Sequence, residues 1–213
     1  MSFCSAALVP NPRAYAITTH VMLMTGPLVG IVSGSGRRRD GNDAGRERAK
    51  LRRMLKLKAS GCIDAPVHAV WNVLSDLDAI HLWVKAIQHS YCPTQDRGVG
   101  AMRVCELKQA RIEDTIVEWD EGRSFKYRGL GAPMMASATN LWTVEPHGEQ
   151  TLVTTIAEAT MKGGPVGILL ELLAKPLFER LGAQSLASLK YYVEHGSPFS
   201  GRARDLPLAP AGC

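Results

Sequence analysis

The sequence predicts an α+β fold: one curved antiparallel sheet packed on a long C-terminal helix, with two short helices after the first strand. Three observations predict it. An alternating segment near residue 55 runs straight into helical periodicity. Residues 86–161 then read as six short strands joined by tight turns. A single long helical pattern follows Gly163-Gly164. Short strand connections imply antiparallel hairpins, and a striped helix must bury its apolar face against the sheet.

Each element has a local reason. Leu55-Lys56-Leu57-Lys58-Ala59-Ser60 alternates at period two, predicting a half-buried strand that runs to Ile63. Asp64 suits an N-cap, and Pro66 is tolerated in a first helical turn. Val67, Val70, Trp71 and Leu74 then line one helical face. Asp76 and Asp78 break it, and Ile80, Leu82 and Trp83 mark a second short helix. Strands are expected at 86–92, 100–108, 110–119, 123–129, 136–145 and 150–161. Asp96 to Gly100, Asp120-Glu121-Gly122 and Pro146 to Glu149 supply their turn residues. In the last helix, Ile168, Leu169, Leu172 and Leu173 form one stripe. Phe178, Leu181, Leu186, Leu189 and Tyr192 form another. Pro176 between them is expected to kink or restart the helix, and Gly196 to end it. A sheet that curls around such a helix can leave a cavity between the two.

Composition bounds the class. The 213 residues are 46% hydrophobic and 21% charged, which excludes collagen-like, coiled-coil and wholly disordered chains. No apolar run reaches the ~18 residues of a membrane span. Five scattered cysteines, an odd number, argue against a disulfide scaffold and for a reducing, cytoplasmic setting. Charge divides the chain into three. Residues 1–53 hold nine Lys/Arg against three Asp/Glu, whereas 54–196 hold fourteen against sixteen. The basic surface is therefore not on the folded part, and no specific nucleic-acid partner is expected. Residues 1–53 read as a disordered extension, as a segment ahead of a true start at Met54, or as a transit peptide. They could still touch nucleic acid or anionic lipid. Residues 197–213, with Pro198, Pro207 and Pro210, read as a loose, flexible tail.

Four segments in order carry a resemblance: IDAPVHAVWNVLSDLDAIHLW at 63–83, GVGAMR at 98–103, EWDEGRSFKYR at 118–128 and LASLKYYVEHG at 186–196. Together they resemble the START-like, Bet v 1-like (SRPBCC) superfamily, particularly its polyketide cyclase/dehydrase branch, over about 54–196. The resemblance implies a helix-grip fold around a deep, mostly apolar pocket. Members bind lipids, sterols, polyketides, plant hormones or other hydrophobic metabolites. Some cyclise or dehydrate the bound molecule and some only carry it, and fold does not decide between these.

Candidate site residues follow from strand faces. Ala101, Arg103 and Cys105 share a face, as do Arg111, Glu113, Thr115 and Val117. If both faces point inward, Arg103 and Glu113 meet across adjacent strands, and the resembled pattern carries Arg and Glu at these places. Arg103 would then stabilise enolate charge, and a desolvated Glu113 would act as a general base. The plainer alternative is a cross-strand ion pair that holds the sheet. His81, beside Trp83, is a candidate proton shuttle, or else a surface helix residue. His89 and Tyr91 share a face and could serve a ligand or simply meet solvent. Tyr127, with Phe125 on its face, could orient a ligand carbonyl. Trp83, Trp142 and Met135 complete the ligand-binding candidates. The Trp residues, including Trp71 and Trp119, equally suit core packing. Gly129 to Met135 is glycine-rich and apolar, as a pocket gate would be.

Other chemistries lack their motifs. Cys-x-x-Cys, His-x-x-x-His, phosphate-binding glycine loops and the Gly-x-Ser-x-Gly elbow are all missing from the sequence. Cys105 has no His near it in sequence. The expectation is a cofactor-free and metal-free monomer or homodimer that takes a small hydrophobic ligand. It acts as a cyclase or dehydratase, as a carrier, or as an interaction module that offers its groove to a protein.

Overall fold

The structure, a computed structural model, describes residues 55–132 and 135–213, with the backbone alone for 164–172. The expectations for residues 1–53, for Met134 and for the Ile168–Leu172 part of the first helical stripe lie outside what is described.

The sheet has seven strands. They are β1 (Leu55–Ile63), β2 (Ile87–Tyr91), β3 (Met102–Leu107), β4 (Ala110–Asp120), β5 (Ser124–Leu130), β6 (Met135–His147) and β7 (Gln150–Met161). Helices α1 (Val67–Leu74) and α2 (Ile80–Trp83) follow β1, and α3 (Gly164–His195) follows β7. Strands β2 to β7 lie side by side in chain order, and β1 pairs with β7 at the far edge. All neighbours run antiparallel. The sheet grips α3, as the resemblance implies.

The core explains the elements. Val70, Trp71 and Leu74 bury the apolar face of α1, and Leu186 and Leu189 bury that of α3, against Ile63 and Val153 of the sheet. Among the described residues the ladder carries three register shifts, one of them between Met135 and Ser137 in β6, and the other two reset strand faces. One falls between Ile116 and Glu118 in β4, and Ile116 and Trp119 then both reach the inner side, opposite Tyr127 and Phe125. The mixed alternation of this strand is the result. The other lies between Ile87 and His89 in β2.

Four local expectations change. Asp64 does not cap α1, whose N-cap is Pro66 with no side-chain hydrogen bond. The Asp64 N–H instead donates to Glu194 Oε1 at 2.8 Å, tying β1 to the end of α3. Helix α3 runs through Pro176 without restarting. Pro176 faces solvent, where water can bind the carbonyl left without a donor. Leu173 and Leu181, expected in buried stripes, are exposed, and Leu177 joins them. Gly196, at φ 66°, ends the helix in the left-handed conformation that its lack of Cβ permits.

The fourth change is the C-terminal segment. Expected to be loose, it lies against the domain. Leu206 is 7% exposed. Phe199 packs edge-on against Tyr191 at 5.1 Å, and the Lys85 ammonium lies 5.1 Å over the Phe199 ring. Cys62 N–H donates to Pro210 O at 2.8 Å, and Cys62 is disulfide-bonded to Cys213. A Cβ on Gly61 would come within 2.7 Å of Ala209 Cβ, so the chain crosses β1 where a side chain is missing. Disulfides persist in oxidising surroundings. This bond counts against the reducing compartment that scattered cysteines suggested. Among the described residues no helix is long and apolar enough to cross a membrane.

Candidate functional site

A cavity of about 340 Å³ lies between the inner face of the sheet, α2 and α3. Ile112, Ala138, Ala157, Met135 and Phe178 make much of its wall apolar. A second chamber of about 210 Å³ shares Leu57, Asn140, Trp142 and Phe178 with it and reaches Ala59 and Gly182. Trp83 and Trp142 meet edge to face at 6.1 Å on the wall. The Trp83 indole N–H is buried with no hydrogen-bond partner.

The polar part of the wall is built by strand register. Turn residues Lys108 and Gln109 pair Leu107 with Ala110, and counting outward pairs Arg103 with Asp114. Ala101, Arg103 and Cys105 are all buried. Arg103 donates through Nε at 3.1 Å and Nη2 at 2.6 Å, both to Asp114 Oδ2. The two side chains are 2% and 6% exposed. Asp114 pairs with Gly129 on β5. A Cβ there would stand 2.9 Å from Asp114 Oδ1, so glycine makes room for the carboxylate. The Arg103 guanidinium lies 4.8 Å from the centre of the Tyr127 ring. The Tyr127 hydroxyl accepts from Asn140 Nδ2 at 3.1 Å, and Asn140 Oδ1 accepts from Thr155 Oγ1 at 2.7 Å.

This packing sets the protonation states. Burial alone would lower the Arg103 pKa, but the Asp114 charge outweighs it and holds the guanidinium above its usual value. Burial pushes the Cys105 thiol up to about 11, against the opposing pull of Arg103. Burial also raises the Tyr127 phenol, and Asp114 adds to the effect. Near pH 7 this part of the wall therefore presents one closed ion pair, a neutral thiol and a neutral phenol.

Of the residues singled out from sequence, Arg103, Trp83, Tyr127, Met135 and Trp142 line the cavity. Glu113 does not. It projects from the opposite face of β4 and pairs with Arg111 at 3.4 Å, both largely exposed. The expected Arg103–Glu113 meeting is replaced by Arg103–Asp114. His81, His89 and Tyr91 also lie off the cavity. His81 and His89 rings stand 5.7 Å apart, and His89 and Tyr91 rings 5.8 Å. His81 Nδ1 donates to Asp78 O at 2.9 Å and lies 2.7 Å from Ser90 Oγ. The bulge after Ile87 is the cause: Ile87 lines the cavity, and the extra residue turns His89 and Tyr91 outward. Trp71 and Trp119 both donate to Glu121, at 2.8 Å each, in a cluster apart from the cavity.

The profile of a family described as polyketide cyclase/dehydrase and lipid transport matches residues 54–194. The chain belongs to that family. No curated protein matches it. Among solved structures, the chain is similar to the Zhui aromatase/cyclase of Streptomyces sp. R1128. The identity is 15% and the TM-score 0.56, over 66% of this chain and 94% of that one. Similar too is the protein TTHA0849 of Thermus thermophilus, at 20% identity and TM-score 0.55, over 67% and 99%. Ara h 8.0201 matches at 13% and TM-score 0.51, over 66% and 98%. These likenesses establish a Bet v 1-like helix-grip fold for this family member.

Sequence reasoning missed Asp114, Asn140 and Thr155. The two-residue turn at Lys108-Gln109 was a usable signal for the first, because it fixes the partner of Arg103 by counting. Asn140 and Thr155 have no comparable signal, since polar residues inside long strands usually face water.

Proposed function

We propose that the protein binds a small hydrophobic molecule, lipid-like or polyketide-like, in the cavity and carries it without converting it. The observation that carries this reading is the closed Arg103–Asp114 pair on an otherwise largely apolar cavity wall. Cyclisation would need a cation free to meet enolate charge and a base within reach of the ligand. Arg103 has Nε and Nη2 committed to Asp114, whose carboxylate is engaged in return; Glu158 is tied to Lys56, and Glu113 lies outside the cavity. The family description covers lipid transport as well as cyclase and dehydrase members, so carriage sits within it. A groove that seats a partner protein is less supported, because the space lies between sheet and helix. Within this reading the protein acts as a monomer or homodimer. The Tyr127 hydroxyl, held by Asn140, orients a ligand oxygen by donating its proton to it.

The test is native mass spectrometry of protein purified from its own host, followed by denaturing extraction. The expected result is one hydrophobic molecule released unchanged per chain. Empty protein that also refuses a panel of lipids and aromatic polyketides overturns the reading. A ligand recovered in two forms related by loss of water overturns carriage in favour of catalysis.

A further inference from the structure

We infer that the cavity selects an uncharged ligand, a hydrophobic molecule whose polar atoms are neutral carbonyl or hydroxyl groups, over a carboxylate or an amine of the same shape. The inference rests on the reading of the cavity as the ligand site, and it names the chemical class that the site takes.

The argument is one of charge balance. Among the described residues, the charged side chains on the cavity lining are Arg103, Asp114 and Glu158. Glu158 is tied to Lys56 at 3.1 Å. Arg103 and Asp114 neutralise each other at 2.6 Å in a place nearly closed to solvent. A bound carboxylate would compete with Asp114 for a guanidinium already engaged through two nitrogens, and would leave one negative charge unmatched. A bound ammonium would leave one positive charge unmatched. In an interior of low dielectric either excess is strongly unfavourable. A neutral ligand adds no charge and still finds a donor, because the Tyr127 oxygen accepts from Asn140 and leaves its own proton to give.

Asp114 is thus the specificity-determining residue. With Arg103 alone, the same wall would attract acids. Gly129 belongs to the same device, since a side chain there would crowd the carboxylate that balances the arginine.

Three probes of one skeleton test this: 2-acetonaphthone, 2-naphthoate and 2-naphthylmethylamine, titrated by calorimetry into the full chain at pH 7. The ketone is expected to bind at least about tenfold more tightly than either ion. In Asp114→Asn, which leaves the Arg103 charge alone, naphthoate should gain at least about tenfold relative to the ketone. The ratio is read within one sample, so a general loosening of the variant cancels. If near-UV circular dichroism shows that Asp114→Asn has not folded, Arg103→Gln serves in its place and should shift the ratio toward the amine. If neither variant folds, the ratio in the natural protein decides. Naphthoate binding as tightly as the ketone in the natural protein overturns the inference and leaves the ligand site standing. An unchanged ratio in a folded variant overturns it too. Failure of all three probes overturns the ligand-site reading itself.

Discussion

Replacing Asp114 by leucine should strand a guanidinium inside the protein. Arg103 would lose two charge-assisted hydrogen bonds, at 3.1 and 2.6 Å, in a site where its side chain is 2% exposed. Each such bond contributes on the order of 1.5–3 kcal/mol, and breaking a buried pair from one side costs about 3–5 kcal/mol. Domain stability is typically about 5–15 kcal/mol, so this single change removes a large part of it. The melting temperature should fall by roughly 6–20 °C, at about 2–4 °C per kcal/mol for a chain of this size. The double variant Arg103→Leu/Asp114→Leu removes both charges and should lie near the natural protein, since apolar replacements of buried pairs are often neutral. Urea unfolding of the natural protein, both single variants and the double variant closes the cycle; with each single change costing about 3–5 kcal/mol and the double change near zero, the coupling is roughly 6–10 kcal/mol. A loss under about 1 kcal/mol for Asp114→Leu alone would refute the reasoning, because the guanidinium would then be finding water that a low-dielectric cavity excludes.

Three further outcomes are expected. Burial pushes the Cys105 thiol in the fold up to about 11 from its ordinary 9.0. The unfolded chain therefore loses the proton first, so this contribution is complete below about pH 9 and fades as pH rises toward 11, on the order of 2–3 kcal/mol in all. Urea midpoints at pH 8 and 10.5 should show the loss, and Cys105→Ala should lessen it, while the raised Cys92 thiol and Tyr127 phenol keep part of the slope; an equal slope in both proteins would exclude Cys105 as a source. The Cys62–Cys213 bond closes a separation of 151 residues, so Cys213→Ser should lower stability by up to about 5 kcal/mol on loop-closure entropy. Urea curves with and without dithiothreitol check this, and a difference below about 1 kcal/mol would mean that Leu206 and its neighbours hold the segment unaided. Gly129→Ala, which sets a Cβ 2.9 Å from Asp114 Oδ1, should cost about 1–3 kcal/mol and weaken ligand binding. A variant that melts with its parent would show that the carboxylate moves aside freely.

What the sequence by itself determined is the order and kind of the elements. Leu55 to Ser60 alternates because one face of β1 is buried, and Val67, Val70, Trp71 and Leu74 repeat at helical spacing because one side of α1 is. Those periods are local, so they survive in a string of letters. Alternation showed that Ala101, Arg103 and Cys105 share a face of β3, but not which way that face points. What only the tertiary structure decided is which groups meet. One bulge in β2 sends His89 and Tyr91 away from the face of Ile87, and the unbroken β3–β4 register set by the Lys108-Gln109 turn pairs Arg103 with Asp114 in place of Glu113. Side chains alternate faces at period two, so one extra residue or one step of register inverts every inward and outward assignment after it. The C-terminal segment is decided the same way. Its prolines and small residues look loose one by one, and its place is fixed by Leu206, Phe199 and Cys213 finding partners up to 151 residues away. Local composition holds no record of contacts across that distance, because they exist only once the sheet has closed on its helix.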